Sequence, residues 1–103
     1  MHAKGSMANL KDLNLRNNQI GDLGMSSLSA ALAKGSLAKL ETLNLSYNEV
    51  GDLGMSSLSE ALAKGALAPG AGVTLYGNNA TAAGKQAVRD AIKDCGRTVY
   101  MML

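Results

Sequence analysis

The chain contains no phenylalanine and no tryptophan, one cysteine, one proline and one histidine. Each scarcity removes a class of answer. A single thiol, Cys95, excludes an internal disulfide and any cysteine-based metal cluster. A nucleophilic Cys95 would need a base, and the one histidine, His2, stands in the N-terminal segment, so an inert thiol is expected and no metal site. With three tyrosines as the only aromatics, leucine, alanine and methionine must fill the core. Charge of either sign is also scarce: charged residues make up 17% and the net charge is +2. That is too even for a nucleic-acid binder, which shows a basic stripe, so no nucleic-acid partner is expected. No apolar run approaches the roughly 20 residues of a membrane span. MHAKGSMA lacks the apolar core of a secretory signal, so a cytoplasmic protein without a membrane partner is expected. On that reading the sequons at Asn44-Leu45-Ser46 and Asn79-Ala80-Thr81 are accidental. Gly5-Ser6 before Met7 reads as a tag junction. Residues 1–6 are expected to be a tag or disordered, and 7–103 a single domain.

What the chain does have is a repeat. GDLGMSSLS stands at 21–29 and again at 51–59. Units 10–39 and 40–69 differ at only nine of thirty positions, so the rhythm governs the whole unit and not one motif. A third unit, 70–99, has diverged but keeps Val73, Leu75, Asn78, Gly84, Val88 and Ile92 in phase. A period in this range marks a stacked repeat protein. Within each unit two periodicities follow one another. Leu13-Asn14-Leu15-Arg16 alternates as a strand does. Met25, Leu28 and Leu32 then fall on one helical face. Asp22 and Asp52 are expected to cap their own helices, with Gly35 and Gly65 left-handed after the last turn. In unit three Thr81 is the cap candidate and Gly96 the terminator, which shifts that helix by about a residue. Each strand leads into a helix, so the strands must be parallel. Val99, Met101 and Leu103 alternate in a closing strand at about 98–103.

Leu10-x-x-Leu13-x-Leu15-x-x-Asn18 and Leu40-x-x-Leu43-x-Leu45-x-x-Asn48 carry the leucine-rich-repeat signature, and the chain resembles that family. The continuation Ile20, Gly21, Asp22, Gly24, Leu28, Leu32 is similar to the ribonuclease-inhibitor subclass. The resemblance implies an α/β fold: a short right-handed βα solenoid, three βα units plus a terminal strand, with a parallel sheet on the concave face of a horseshoe fragment. It also implies a structural ladder, in which Asn18, Asn48 and Asn78 bond the backbone of the turns from one repeat to the next. Gly70 and Ala80 replace larger apolar residues in unit three, so the core is expected to thin at that end.

The remaining candidates for chemistry read as architecture. GDLG and APGAG do not fit the phosphate-loop pattern, and Lys85 is followed by Gln86 where that pattern needs a hydroxyl. Asp90 and Asp94 lie one helical turn apart on a solvated face. No cofactor and no catalysis are expected. The resemblance implies that the polar alternates of each strand line the open inner face: Asp12, Asn14, Arg16, Thr42, Asn44, Ser46, Thr74 and Tyr76, with Tyr47 beside them. Arginine and tyrosine are favoured at interface hot spots, so Arg16, Tyr47, Tyr76, Asn14, Asn44 and Thr74 are the candidate partner-binding residues. Four strands of five residues would offer roughly 300 Å², well short of the ~800 Å² of a standard interface. The loops must therefore contribute. The expected function is a non-catalytic protein-interaction module. The alternative is a structural or engineered minimal scaffold whose main property is folding and self-association, and the near-identical units favour it. Stacked repeats need polar ends, and none is evident before Leu10 or in Tyr100-Met101-Met102-Leu103. Together with Leu23 and Leu53, an apolar stripe, these predict a homodimer through uncapped ends.

Overall fold

The computed structural model describes residues 9–94 and 100–103. The expected tag at 1–6, Cys95, Gly96 and Val99 lie outside them. The elements run β1 (Asp12–Asn14), α1 (Asp22–Ala33), β2 (Thr42–Asn44), α2 (Asp52–Ala63), β3 (Gly72–Thr74), α3 (Ala82–Asp94) and β4 (Tyr100–Met102). The four strands form one parallel sheet in chain order. Its register advances one repeat per strand: Leu13 lies beside Leu43, Leu43 beside Val73, and Val73 beside Met101. Chain order with parallel pairing is what a helix after every strand produces, because each crossover returns the chain to the next position along the sheet.

The strands are three residues long, shorter than the five expected. The cause is local. The Asn14 side chain accepts a bond from the amide of Arg16 at 3.0 Å, and Asn44 does the same for Ser46 at 3.1 Å. Both Asx turns bend the chain, and the one at Asn44 also takes the Ser46 amide, which in a longer ladder would donate to β1. Some pairing continues past the turn, since Asn17 donates to the Ser46 carbonyl and Tyr47 to that of Tyr76.

The helices end as their sequence dictates. Gly35 and Gly65 have φ of +80° and +76°. Ser36 donates to the Ala31 carbonyl and Gly35 to that of Leu32, with Ala66 and Gly65 repeating both bonds one unit on. This is the Schellman arrangement, and it satisfies carbonyls that the last turn would leave open. α3 begins at Ala82, in phase with Asp22 and Asp52, so the expected shift at its start is absent; it runs one residue further, to Asp94.

Between the helices and the sheet lies a column of aliphatic side chains. Leu40, Leu43, Leu45, Val50, Met55, Leu58, Leu62 and Leu67 of unit two are all buried, as are Val73, Leu75 and Val88 of unit three. Each fully buried Leu contributes about 1.5–3 kcal/mol. The thin end of the core is unit one, contrary to expectation: Leu10, Leu13, Leu15, Ile20 and Leu28 are only half-buried. Among the described residues unit one has a neighbour on one side only. Unit three lies between unit two and β4, which offsets its smaller side chains.

Candidate partner-binding face

The helices cover one face of the sheet. Over the other lies an open groove of about 430 Å³, lined by Asp12, Asn14, Thr42, Asn44, Gly72, Thr74 and Met102 and floored by Leu13, Leu43 and Val73. Strand alternation produces this arrangement: the leucines and valine point into the core, and their neighbours point out. The hydroxyl of Thr42 donates to the carboxylate of its strand neighbour Asp12. Gly72 presents no side chain, which deepens the groove between Thr42 and β4.

At the end of the groove the turns bring three side chains together. The Arg16 guanidinium lies over the ring of Tyr47, 5.1 Å from its centroid. The Tyr47 ring meets Tyr76 edge to face, with centroids 5.3 Å apart and planes at 89°. Arg16 and Tyr47 are exposed, while Tyr76 is half-buried. The backbone explains the placement. Asn17, Tyr47 and Gly77 occupy the same position of successive repeats, with φ of 59°, 55° and 77°. Asn and Gly adopt this left-handed conformation readily, whereas a bulky side chain is strained there by about 1–3 kcal/mol. Tyr47 is therefore held in an unfavourable conformation that lays its ring across the next turn. There Gly77 makes room, because a Cβ at that position would lie 2.6 Å from Tyr47 Cδ1.

Other candidates are placed differently. The amide oxygens of Asn14 and Asn44 are engaged in the Asx turns; Asn44 Oδ1 accepts two bonds and keeps only its NH₂ for a partner, whereas Asn14 Oδ1 accepts one. Ser46 is not on the open face. It is fully buried, and its hydroxyl donates to Asn44 Oδ1 at 2.6 Å; in the repeat register its short side chain falls between the larger Arg16 and Tyr76. Thr74 is half-buried within the groove. Met102 went unnoticed as a face residue although it is 61% exposed. The signal is the register of the closing strand, which sets Met102 beside Thr74.

Asn48 is buried, and its side chain joins two repeats. Its Oδ1 accepts from the amides of Asn18 (3.2 Å) and Ile20 (3.1 Å), and its NH₂ donates to the carbonyls of Leu15, Leu45 and Ser46. Asn78 accepts from Val50 at 3.0 Å and donates to Leu45 and Leu75. Asn18 is exposed and donates only to Leu15 and Arg16 of its own turn.

The acidic caps work between repeats as well, which corrects their expected role. Gly21 and Gly51 are the N-cap residues, and neither helix receives a cap bond from its own N-cap side chain. Instead Asp22 Oδ1 accepts from the amides of Gly51 (2.7 Å) and Gly54 (2.9 Å), at the start of α2. Asp52 accepts from the Thr81 amide (2.8 Å) and hydroxyl (2.6 Å), at the start of α3. The Thr81 hydroxyl therefore donates to a neighbour and does not cap its own helix. Its bond, followed by those of the Thr81 and Gly84 amides and opposed by partial desolvation, holds the Asp52 carboxyl below the usual carboxylate value.

The described residues contain no cluster of ligating side chains able to hold a metal ion, and no helix among them is long and apolar enough to cross a membrane. Stacked βα units with an interlocked turn define a repeat protein. Residues 8–60 match the family model of leucine-rich repeats, two copies, and the chain belongs to that family. No curated protein matches the chain. Leucine-rich repeats generally serve as protein–protein interaction modules and are typically non-catalytic.

Proposed function

We propose that this chain is a non-catalytic recognition module that receives a protein partner on the open face of its sheet. The carrying observation is the convergence of Arg16, Tyr47 and Tyr76, from three repeats, at the end of one groove. These are hot-spot residue types on rigid supports, so binding orders few additional side chains. Four three-residue strands supply roughly 200 Å², and the turn cluster enlarges the surface at the edge where the strands stop. The full-length helices and the run Ile20-Gly21-Asp22 favour the ribonuclease-inhibitor-like subclass, and right-handed crossovers follow from strand twist. Ligands selected from a displayed random peptide library, mapped by amide chemical shifts, test the reading. Shifts should concentrate on residues 12–17, 42–47 and 72–77; shifts confined to the helices would refute it.

A second reading, self-association into a dimer with the protein acting as a scaffold, rests on the half-exposed Leu10, Leu13, Leu15 and Ile20 beside β1 and on Leu23 and Leu53, which are 87% and 75% exposed. Light scattering across a concentration series decides it: a monomer throughout removes this reading.

A further inference from the structure

We propose that the Arg16 guanidinium is a carboxylate receptor, and that the partner of the open face is a peptide segment presenting an aspartate or glutamate side chain to it. This rests on the recognition reading above and names the chemistry of the partner.

Arg16 is positioned but unused. Its guanidinium lies over the Tyr47 ring and makes no ion pair or hydrogen bond with any described residue. The guanidinium's N–H fork, which fits a carboxylate bidentately, therefore has no acceptor among the described residues. Three contacts fix the support. Tyr76 braces the Tyr47 ring edge-on, the missing Cβ of Gly77 seats it, and the left-handed backbone at Tyr47 aims it. Strain of this kind persists only where the surroundings enforce it, and it concentrates at binding sites. Asn14 and Asn17 complete an open pocket of about 510 Å³ with Arg16 and Tyr47. The Asn14 oxygen accepts from the Arg16 amide, and its NH₂ offers the pocket a donor.

The charge pattern sets the direction of the ligand. Asp12 stands at the opposite end of β1, with its carboxylate held by Thr42. Two residues of strand, roughly 7 Å, and then the turn at Asn14 separate the two positions. An acidic group is attracted at the turn end and repelled at the other, so a segment crossing the face must carry its carboxylate over the turns. The apolar stretch along Gly72, Val73 and Met102 then takes an uncharged remainder.

The test uses the whole chain and peptides selected from a displayed random library. Each peptide is synthesised with its acidic residue and with the matching amide, and titrated calorimetrically against wild type, R16K, R16Q and Y47N. Y47N keeps a residue that tolerates the left-handed backbone, as Asn17 does one repeat earlier, while removing the ring. Selected peptides should share an acidic residue. Replacing it by the amide should weaken binding to wild type by about tenfold or more and leave binding to R16Q unchanged. R16K and Y47N should fall between wild type and R16Q, and wild-type affinity should drop with added salt. Peptides that map to the groove without an acidic residue, or that bind R16Q as well as wild type, overturn the carboxylate receptor and leave the recognition face standing. Peptides that map to the helices overturn both.

Discussion

Gly24 and Gly54 lie in identical nine-residue stretches, yet substituting each by alanine should move stability in opposite directions. Each glycine is the third residue of its helix, and within a helix alanine is favoured over glycine by up to about 0.5–1 kcal/mol. At Gly24 little opposes this gain. The residue is exposed, and a new Cβ would meet only Ile20 Cγ2, at 3.1 Å. At Gly54 a Cβ would lie 2.6 Å from Val50 Cγ1, 2.8 Å from Asp22 Oδ1 and 3.1 Å from Met25 Cβ. The Asp22 carboxylate must then leave the amides of Gly51 and Gly54, at about 1.5–3 kcal/mol. Overpacking against Val50 and Met25 adds about 1–3 kcal/mol. After the gain in helix propensity, G54A is expected to destabilise by roughly 2–5 kcal/mol. G24A should be neutral or stabilising by about 0.5 kcal/mol.

Urea and thermal unfolding followed by circular dichroism measures both variants, and the difference should exceed ~8 °C in Tm. A double-mutant cycle identifies the cause. Removing Asp22 takes away one of the three atoms in the way, so D22A and G54A together should cost less than their sum by roughly 1 kcal/mol or more. Equal effects at the two glycines, or strict additivity with Asp22, would refute the claim that one repeat's aspartate caps the next repeat's helix.

Further expectations follow from the same contacts. N48A should cost about 3 kcal/mol or more, because three carbonyls and two amides lose a partner, while N18A at the exposed end should cost under about 1 kcal/mol; chemical denaturation separates them. S29A should raise stability by about 1 kcal/mol, since the buried Ser29 hydroxyl has no hydrogen-bond partner, whereas its counterpart Ser59 donates to Met55 at 2.8 Å. T81V should move the Asp52 carboxyl back toward 3.8, read by NMR titration. A carboxyl whose folded pKa is depressed stabilises the fold above its unfolded value, and that contribution is lost as pH falls through the folded value. The T81V deficit should therefore be present at neutral pH and fade in acid. G77A should displace the Tyr47 ring and weaken ligand binding together with the Arg16 contact, and tyrosine chemical shifts would report an undisturbed ring if this is wrong.

Much of the fold was legible because stacking makes the sequence repeat what the core needs. Leu13, Leu43 and Val73 share one register position, and Gly35 and Gly65 end their helices at positive φ. Misreadings arose where a side chain acts on a neighbouring repeat. Asp22 looks like the cap of its own helix because helix propensities are local, but its carboxylate reaches amides 29 and 32 residues on. Asn14 and Asn44 look like free face residues until their bonds to the Arg16 and Ser46 amides are seen, and the second of these ends the ladder early. Ser46 follows the outward alternation in sequence but is buried, because alternation no longer decides exposure once the chain has turned. The cluster of Arg16, Tyr47 and Tyr76 could be named from residue type, but its geometry depends on Tyr47 occupying a backbone position that glycine or asparagine would normally take.

The distribution of differences between units one and two bears on where recognition lies. Six of the nine differing positions fall within residues 11–20 and 41–50, the strand and its turn. None falls in 21–29 and 51–59, although that stretch includes the exposed Leu23 and Leu53. Packing cannot account for this contrast. It requires identity only at buried positions, and Leu23 and Leu53 are free to differ without cost to the core. The strand and turn satisfy the same backbone demands with different side chains: Asn17 and Tyr47 share one conformation, and Arg16 corresponds to the buried Ser46. The differences are thus concentrated in the strand and its turn, while the helix and its return loop carry three, at 30/60, 36/66 and 39/69. A face serving only solvation has no reason to place Arg16 and Tyr47, two of those six differences, in contact with each other across the repeat boundary.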